Sequence, residues 1–230
     1  MTKLLDWLVD YVYLGRGWTS MYLHRTPPKH YLGHVLVGKE PVILIPGITI
    51  KWGFLRKLGD RISMSGHPTY VVPKLGLNFT DISTSAQIVR EIINENKLKN
   101  VIIVAHSKGG LIGKYLLVNF NQDNRIKKVI AIAAPFSGSP LAKILPHRSF
   151  RELRTTSKII ADLNSQQGVN SRIISIIPTF DNHVWQEANS FLKGAKNIQV
   201  NVRGHHKVLF SKEVADKVLS CLTDSGSASE

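Results

Sequence analysis

A serine between small residues is the feature of this sequence best suited to chemistry. Ser107 lies in Ala105-His106-Ser107-Lys108-Gly109, after the apolar residues 101–105 and before a helical pattern. On a strained strand-to-helix turn a serine hydroxyl is accessible, and small residues two positions before and after it let neighbouring backbones approach closely. The five residues alone would equally fit an ordinary turn. The strand, Gly109-Gly110 and the helix together favour a nucleophile.

A nucleophilic serine needs a base that takes its proton and an acid that orients this base. In strand-to-helix arrangements of this kind, the acid and then the histidine follow the serine, each after a later strand. Asp181 follows the apolar run 172–177, whereas the adjacent His205 and His206 follow the run 197–202. The pattern predicts Asp181 as the acid and leaves the two histidines as alternatives. Four other acids precede Ser107 or lie away from a strand end: Asp81, Asp123, Asp162 and Glu187.

Acyl transfer also needs hydrogen-bond donors for the oxygen that becomes negative in the transition state. The backbone NH of Lys108, directly after the serine, is the first expected donor. The second is expected from the loop Pro46-Gly47-Ile48, with the NH of Ile48 preferred, although Gly47 could also be a plain turn glycine. This chemistry requires neither a metal nor a cofactor.

The elements that must position these residues alternate along the chain. From residue 41 onward, short runs rich in Val and Ile alternate with longer helical patterns, which is typical of βα units that form a parallel sheet. The runs carry little charge, as expected of strands buried on both faces. The fold class is therefore α/β, with a mostly parallel sheet of about six strands and helices on both faces. The six runs are 41–45, 69–72, 101–105, 128–133, 172–177 and 197–202.

Helical periodicity is clearest over residues 82–96, where Thr80 or Asp81 is the expected N-cap. Similar patterns follow Ser107 and Ser211. We expect residues 41–222 to form a single domain, in which 137–170 is a long insertion that could act as a lid or cap. Residues 223–230 are small and polar, which predicts a disordered tail.

Residues 1–40 form a separate lead-in segment. Leu4, Leu8 and Tyr11 predict an amphipathic helix, which either packs on the domain or contacts a membrane interface. Asp6 and Asp10 interrupt the apolar run that a secretory signal would need, so we expect no export signal and a cytoplasmic location, with peripheral membrane contact as an alternative. The single cysteine, Cys221, excludes an intramolecular disulfide framework.

The chain has a formal net charge of +14. Such an excess favours nucleic acid, anionic membrane surfaces or anionic substrates as partners. The basic residues are scattered in ones and twos, without a Lys/Arg-rich block, zinc-ligand spacing or an aromatic RNA-binding motif. We therefore expect no nucleic-acid partner. The excess predicts a solvated basic surface, with attraction to an anionic membrane as the alternative.

Over residues 41–222 the sequence resembles the small bacterial triacylglycerol lipases and esterases of the α/β-hydrolase superfamily. The matching pieces are Pro41-Val-Ile-Leu-Ile-Pro-Gly-Ile48, Val104-Ala-His-Ser-Lys-Gly-Gly110, an aspartate after Ser-Ile-Ile-Pro-Thr-Phe, and Gly204-His205 followed by Leu209-Phe210-Ser211. The resemblance implies an α/β-hydrolase fold, an ester or lipid substrate and a Ser107-Asp181-His205 triad. It favours His205 over His206, and implies that the NH groups of Ile48 and Lys108 form the oxyanion hole.

The sequence departs from these lipases at Lys108, where many of them carry methionine or another uncharged residue. We expect the side chain of Lys108 to reach solvent, with a preference for anionic substrates as the alternative. The combined expectation is a carboxylic ester hydrolase that acts through an acyl-enzyme. A thioesterase or acyltransferase with the same triad is the alternative, and a catalytically silent binding protein would have a broken triad.

Overall fold

The computed structural model describes residues 3–145, 147–185 and 187–224. Its sheet has six parallel strands in the order β2-β1-β3-β4-β5-β6. The predicted α/β class and the six predicted strands are confirmed. The strands are β1 Val42–Ile45, β2 Thr69–Val71, β3 Val101–His106, β4 Ile126–Ile132, β5 Ile173–Phe180 and β6 Lys196–Arg203.

The central strands are largely apolar because both faces of the sheet are covered. Every residue of β1 and β3 is buried. Alternate side chains enter two separate cores: Leu44 and Val104 contribute to one, while Ile43 and Ile103 contribute to the other. This double burial explains why the sequence shows continuous apolar runs instead of an alternating pattern.

Eight α-helices surround the sheet in the described residues. The side chain of Asp81 accepts a hydrogen bond from Thr84 N at 2.7 Å, so Asp81, and not Thr80, is the N-cap of the helix predicted over residues 82–96. The side chain of Ser211 likewise accepts a hydrogen bond from Val214 N at the start of the last helix. The helices are α1 Lys3–Leu23, α2 His30–Gly33, α3 Arg56–Met64, α4 Ile82–Glu95, α5 Lys108–Asn119, α6 Lys158–Ser165, α7 Glu187–Ser190 and α8 Lys212–Thr223. They cover both faces, as predicted.

Helix α1 packs on the domain through a face that the sequence pattern did not indicate. Its buried residues are Asp6, Asp10, Gly17 and Met21. The stripe that was expected to pack is instead largely exposed, and Leu4 is 71% and Leu8 58% accessible. The carboxylates of the helix face inward because groups at and after the end of β6 donate hydrogen bonds to them.

The segment 137–170 contains two 3₁₀ turns, Pro140–Lys143 and Arg148–Leu153, and the helix α6. Of the tail predicted to be disordered, Thr223 ends α8 and Asp224 forms a 2.8 Å ion pair with Lys196. The remaining residues, 225–230, lie outside the described residues. No helix among the described residues is long and apolar enough to cross a membrane.

Candidate active site

Ser107 lies on a tight turn between β3 and α5. Its backbone has φ 52° and ψ −123°, a conformation that a non-glycine residue adopts only when its surroundings enforce it. Ser107 N donates a hydrogen bond to Ile132 O at 2.9 Å, and Gly110 N donates to Ser107 O at 2.9 Å. A Cβ at Gly109 would lie 2.6 Å from Ile45 O, so this position requires glycine. The predicted strained turn is therefore present.

Asp181 and His205 follow β5 and β6 at the same edge of the sheet. Asp181 Oδ2 lies 2.8 Å from His205 Nδ1, and both side chains are about 95% buried. Asp181 Oδ1 accepts hydrogen bonds from the backbone NH groups of His183 and Val184, each at 2.8 Å. These two bonds fix the carboxylate, which in turn fixes the orientation of the imidazole. Ser107 and His205 line the same cavity.

The two buried groups, Asp181 and His205, shift each other's pKa. Burial raises the pKa of Asp181, but the charge and hydrogen bond of His205 outweigh it, so this pKa is lowered. Burial lowers the pKa of His205, but the charge and hydrogen bond of Asp181 outweigh it, so this pKa is raised. The pair therefore combines an ionised carboxylate with an imidazole that accepts a proton readily, which suits a general base.

The loop after β1 lies directly against Ser107. A Cβ at Gly47 would be 3.0 Å from Ser107 Cβ and 3.1 Å from His106 Nδ1, so this glycine permits a close approach and is more than a turn residue. Ile48 lines the cavity with Ser107. Lys108 begins α5 immediately after Ser107, where helix NH groups are not used within the helix. Ile48 and Lys108 thus lie on either side of the serine.

The side chain of Lys108 does not reach solvent, contrary to the sequence-based expectation. It is 0% accessible, and its Nζ donates hydrogen bonds to Asn78 O, at 2.9 Å, and to Thr80 O. The loop that carries these carbonyls is itself held by Asn78 Nδ2, which donates to Pro46 O at 2.8 Å. Burial lowers the pKa of Lys108 to about 8. The lysine therefore holds the loop of Asn78 and Thr80, which the side chain of Asn78 connects to the loop after β1.

This burial gives a pH-dependent prediction for Lys108→Met. Between about pH 8 and the unfolded pKa near 10.5, the unfolded chain binds more protons at Lys108 than the folded chain does. The stability of the wild type should therefore rise with pH relative to that of Lys108→Met, by about 3 kcal/mol across this interval. Urea unfolding at both ends of the interval measures the difference. The exposed Lys99→Met is the control, and a constant difference for Lys108→Met would contradict the prediction.

His206 belongs to a second histidine–carboxylate pair, with a partner from the N-terminal helix. His206 Nδ1 lies 2.8 Å from Asp10 Oδ2, while Asp10 Oδ1 accepts hydrogen bonds from His206 N at 2.7 Å and Lys207 N at 2.9 Å. Asp6, one turn earlier, accepts bonds from Arg203 Nε at 2.9 Å and Nη2 at 2.7 Å. The sequence left His205 and His206 as alternative bases. In the structure the two histidines have different partners, because His205 faces Asp181 and His206 faces Asp10.

Asp10 was not among the residues predicted for the site. Burial raises its pKa, but the hydrogen bond and charge of His206 outweigh it and hold this pKa well below the usual range. The available signal was the spacing of Asp6 and Asp10, which places two acids on one side of an otherwise apolar helix. These acids were considered only as interruptions of an export signal.

Two further histidines surround His205. The ring of His183 stacks on that of His205, with centroids 4.6 Å apart and planes at 1°. His106 Nε2 donates to His205 O at 2.9 Å. Burial and the neighbouring histidines lower the pKa values of His106 and His183 well below 6.5, which keeps both rings neutral. The charge of a protonated His205 is therefore balanced by carboxylates and not opposed by a second cation.

One group of these residues has ligand atoms close enough to hold a metal ion. Asp10, His183 and His206 each offer one atom, all within 4.8 Å of one another. Both oxygens of Asp10 already accept hydrogen bonds from His206 and Lys207. We therefore interpret the group as a hydrogen-bonded network that holds the loop after β6.

A cavity of about 280 Å³ opens onto Ser107 and His205. Its walls are mainly apolar, as in sites that bind the hydrocarbon part of a ligand. Residues of the insertion 137–170 supply much of this wall, and its role as a lid or cap stays a prediction. The apolar lining residues are Ile48, Ile50, Leu141, Ala142, Leu145, Phe150, Leu153 and Val184.

The parallel sheet, the strained turn after β3 and the acid and histidine after the last two strands define a protein of the α/β-hydrolase class. A sequence profile of the lecithin:cholesterol acyltransferase family matches residues 85–220, more than half of the chain. The chain belongs to this family.

Solved structures show the same fold. The mature lipase BlEst2 of Bacillus licheniformis superposes with a TM-score of 0.68 at 16% identity, covering 86% of this chain and 96% of that one. A hydrolase from Pseudomonas aeruginosa PA01 gives 0.59 at 13% identity, covering 82% and 92%. The monoacylglycerol lipase of Paleococcus ferrophilus gives 0.54 at 15%, covering 80% and 94%. The resemblance to bacterial lipases is confirmed, and family and fold together support a hydrolase.

Proposed function

We propose that this protein hydrolyses carboxylic esters through an acyl-enzyme on Ser107. The observation that carries the proposal is the buried Asp181–His205 pair, whose imidazole lines the same apolar cavity as the serine on its strained turn. A nucleophile after β3, an acid after β5 and a base after β6, all at one edge of the sheet, form the arrangement that activates a serine hydroxyl.

In the first half-reaction, Ser107 Oγ attacks the ester carbonyl carbon while His205 Nε2 takes the hydroxyl proton. The backbone NH groups of Ile48 and Lys108 donate hydrogen bonds to the carbonyl oxygen, which becomes negative. When the tetrahedral intermediate collapses, the bond to the leaving alcohol breaks and His205 returns the proton to that alcohol. The acyl group remains on Ser107 as an ester.

In the second half-reaction a water molecule attacks the acyl carbon as His205 takes one of its protons. The bond to Ser107 Oγ then breaks, and the same proton restores the serine hydroxyl. Asp181 stabilises the imidazolium in both halves without taking the proton itself. The apolar cavity walls favour a hydrocarbon acyl chain over a charged one, because a buried charge without a partner is costly.

The family favours acyl transfer as a second candidate function, since its name describes an acyltransferase acting between lecithin and cholesterol. The first half-reaction is the same, and an alcohol replaces water in the second. Product analysis with a sterol or a short alcohol present would show new esters if transfer occurs. Turnover of an acyl thioester beside the matching oxygen ester would separate a thioesterase from both.

A fluorophosphonate probe tests the nucleophile, because it reacts covalently with an activated serine. We expect labelling of the wild type and none of Ser107→Ala. The control is Ser139→Ala, since Ser139 lines the same cavity but donates its hydroxyl to His183 O at 2.6 Å. Labelling of Ser107→Ala would contradict the assignment. A loss of labelling in Ser139→Ala, with labelling retained in Ser107→Ala, would contradict it as well. Release of acid from p-nitrophenyl esters of increasing chain length then tests hydrolysis and the role of the apolar cavity.

A further inference from the structure

The outward side of α1 carries exposed apolar side chains toward both of its ends. Among the described residues, twelve of the seventeen exposed large apolar side chains lie between residues 4 and 37. We use the name outer face for the eight of these that α1 carries: Leu4, Leu5, Leu8, Tyr11, Val12, Trp18, Tyr22 and Leu23. At about 100° per residue they fall within an arc of about 140°. The buried residues of α1 occupy the opposite side.

An exposed apolar surface of this extent is unusual for a protein surrounded only by water, and it indicates an interaction site. The charges around it are positive. Both acids of α1 face inward, so its remaining charged side chains are Lys3 and Arg16, which are exposed. Lys51 lies 5.6 Å above the ring of Tyr22, at the edge of the outer face. The whole chain carries a formal charge of +14.

We propose that the outer face of α1 docks this protein on anionic phospholipid bilayers. This proposal rests on the proposed ester hydrolysis and extends it to a lipid surface. A helix with leucines, tryptophan and tyrosines on one side and cations beside them matches the boundary between lipid headgroups and acyl chains. The net charge disfavours a second copy of this chain as the occupant, since two cationic molecules repel each other, whereas an anionic surface attracts them.

The position of α1 relates this surface to the active site. Tyr11 belongs to the outer face and also lines the cavity that contains Ser107. On the inner side, Asp6 and Asp10 bind Arg203 and His206, on either side of His205. A bilayer in contact with the outer face therefore lies beside the cavity that contains Ser107.

Vesicle co-sedimentation tests the docking with Leu4→Ser/Leu8→Ser/Val12→Ser. These side chains are exposed and none of them lines the cavity that contains Ser107, so the fold and the site should persist. We expect the wild type to bind vesicles of phosphatidylcholine with about 30% phosphatidylserine, and to bind less at high salt or without the anionic lipid. The triple variant should bind at least about tenfold more weakly, because three apolar contacts are lost.

The matched control is Met64→Ser/Phe191→Ser, which removes exposed apolar side chains outside α1 and should bind like the wild type. Equal binding of the triple variant and wild type, or no binding by the wild type, would overturn the proposal. A change of oligomeric state in the triple variant, with vesicle binding unchanged, would identify a second copy as the occupant and would also overturn it.

The same experiment in the Ser107→Ala background separates docking from catalysis. Vesicle binding should be unchanged by Ser107→Ala. The docking proposal can therefore fail while the fluorophosphonate test succeeds, and it can hold while that test fails. With active enzyme, the triple variant should keep its kcat/KM on a water-soluble ester and lose about tenfold or more on the same ester presented in anionic vesicles.

Discussion

Asp181→Asn is expected to lower kcat by about four orders of magnitude while the protein stays folded. The amide keeps an oxygen for the NH groups of His183 and Val184, so the loop retains its two hydrogen bonds. Its NH₂ group, however, replaces the oxygen that lies 2.8 Å from His205 Nδ1. Nδ1 must then act as the acceptor, which places the imidazole proton on Nε2, where the serine proton should be received.

Steady-state kinetics on a p-nitrophenyl ester measure this effect, and thermal unfolding checks the fold. The matched control is Asp162→Asn, which changes an exposed acid of α6 that also follows Ser107 in the chain. It should leave kcat unchanged. A kcat for Asp181→Asn within about tenfold of the wild type would show that Asp181 does not orient the base.

The pH profile gives an independent signature of the same pair. Hydrolysis needs His205 in its neutral form, so kcat/KM should rise with pH through the pKa of this residue. In the wild type Asp181 raises that pKa above its usual value of 6.5. In Asp181→Asn the charge is lost and burial, which lowers the pKa, remains. The rise should therefore move to lower pH, whereas a purely structural defect would lower kcat/KM without moving it.

The features that the sequence predicted well are set by short stretches of chain. The runs 42–45 and 101–105 are apolar at every position, because both faces of the sheet are covered. The turn at Ser107 is marked by small residues close to the serine in the sequence, although the clash that requires glycine at Gly109 is with Ile45 O of β1. Asp181 and the adjacent pair His205 and His206 could be placed because parallel strands end at one edge of the sheet, whereas the choice of His205 came from the resemblance to the lipases.

The features that were missed depend on partners distant in the sequence. Asp10 and His206 are 196 residues apart, and no local pattern shows that an acid in the first helix meets a histidine near the last. For this reason the buried face of α1 was predicted from its leucines and not from its carboxylates. Lys108 was likewise expected in solvent, because its acceptors at Asn78 and Thr80 come from a loop some 30 residues earlier.

Asp10→Ala is expected to lower the free energy of unfolding by about 3 kcal/mol, the second large effect that the structure predicts. The substitution leaves three donors without an acceptor, the backbone NH groups of His206 and Lys207 and the imidazole of His206. Asp10 is 0% exposed, so the donors that contact it have little access to water. Because His205 is adjacent to this loop, kcat should fall as well. Urea unfolding at neutral pH and ester hydrolysis measure the two effects.

Asp10→Asn is the conservative companion, because its amide oxygen can still accept from both backbone NH groups and His206 can change its tautomer. It should retain most of the stability that Asp10→Ala loses. The pKa of Asp10 is lowered in the folded protein, so its carboxylate stabilises the fold above the unfolded value near 3.8, and this contribution is lost as the pH falls through the folded pKa. The stability gap between wild type and Asp10→Asn should therefore stay constant at neutral pH and shrink only in strong acid. A gap that closes between about pH 5 and 7 would instead assign the stabilisation to protonation of His206.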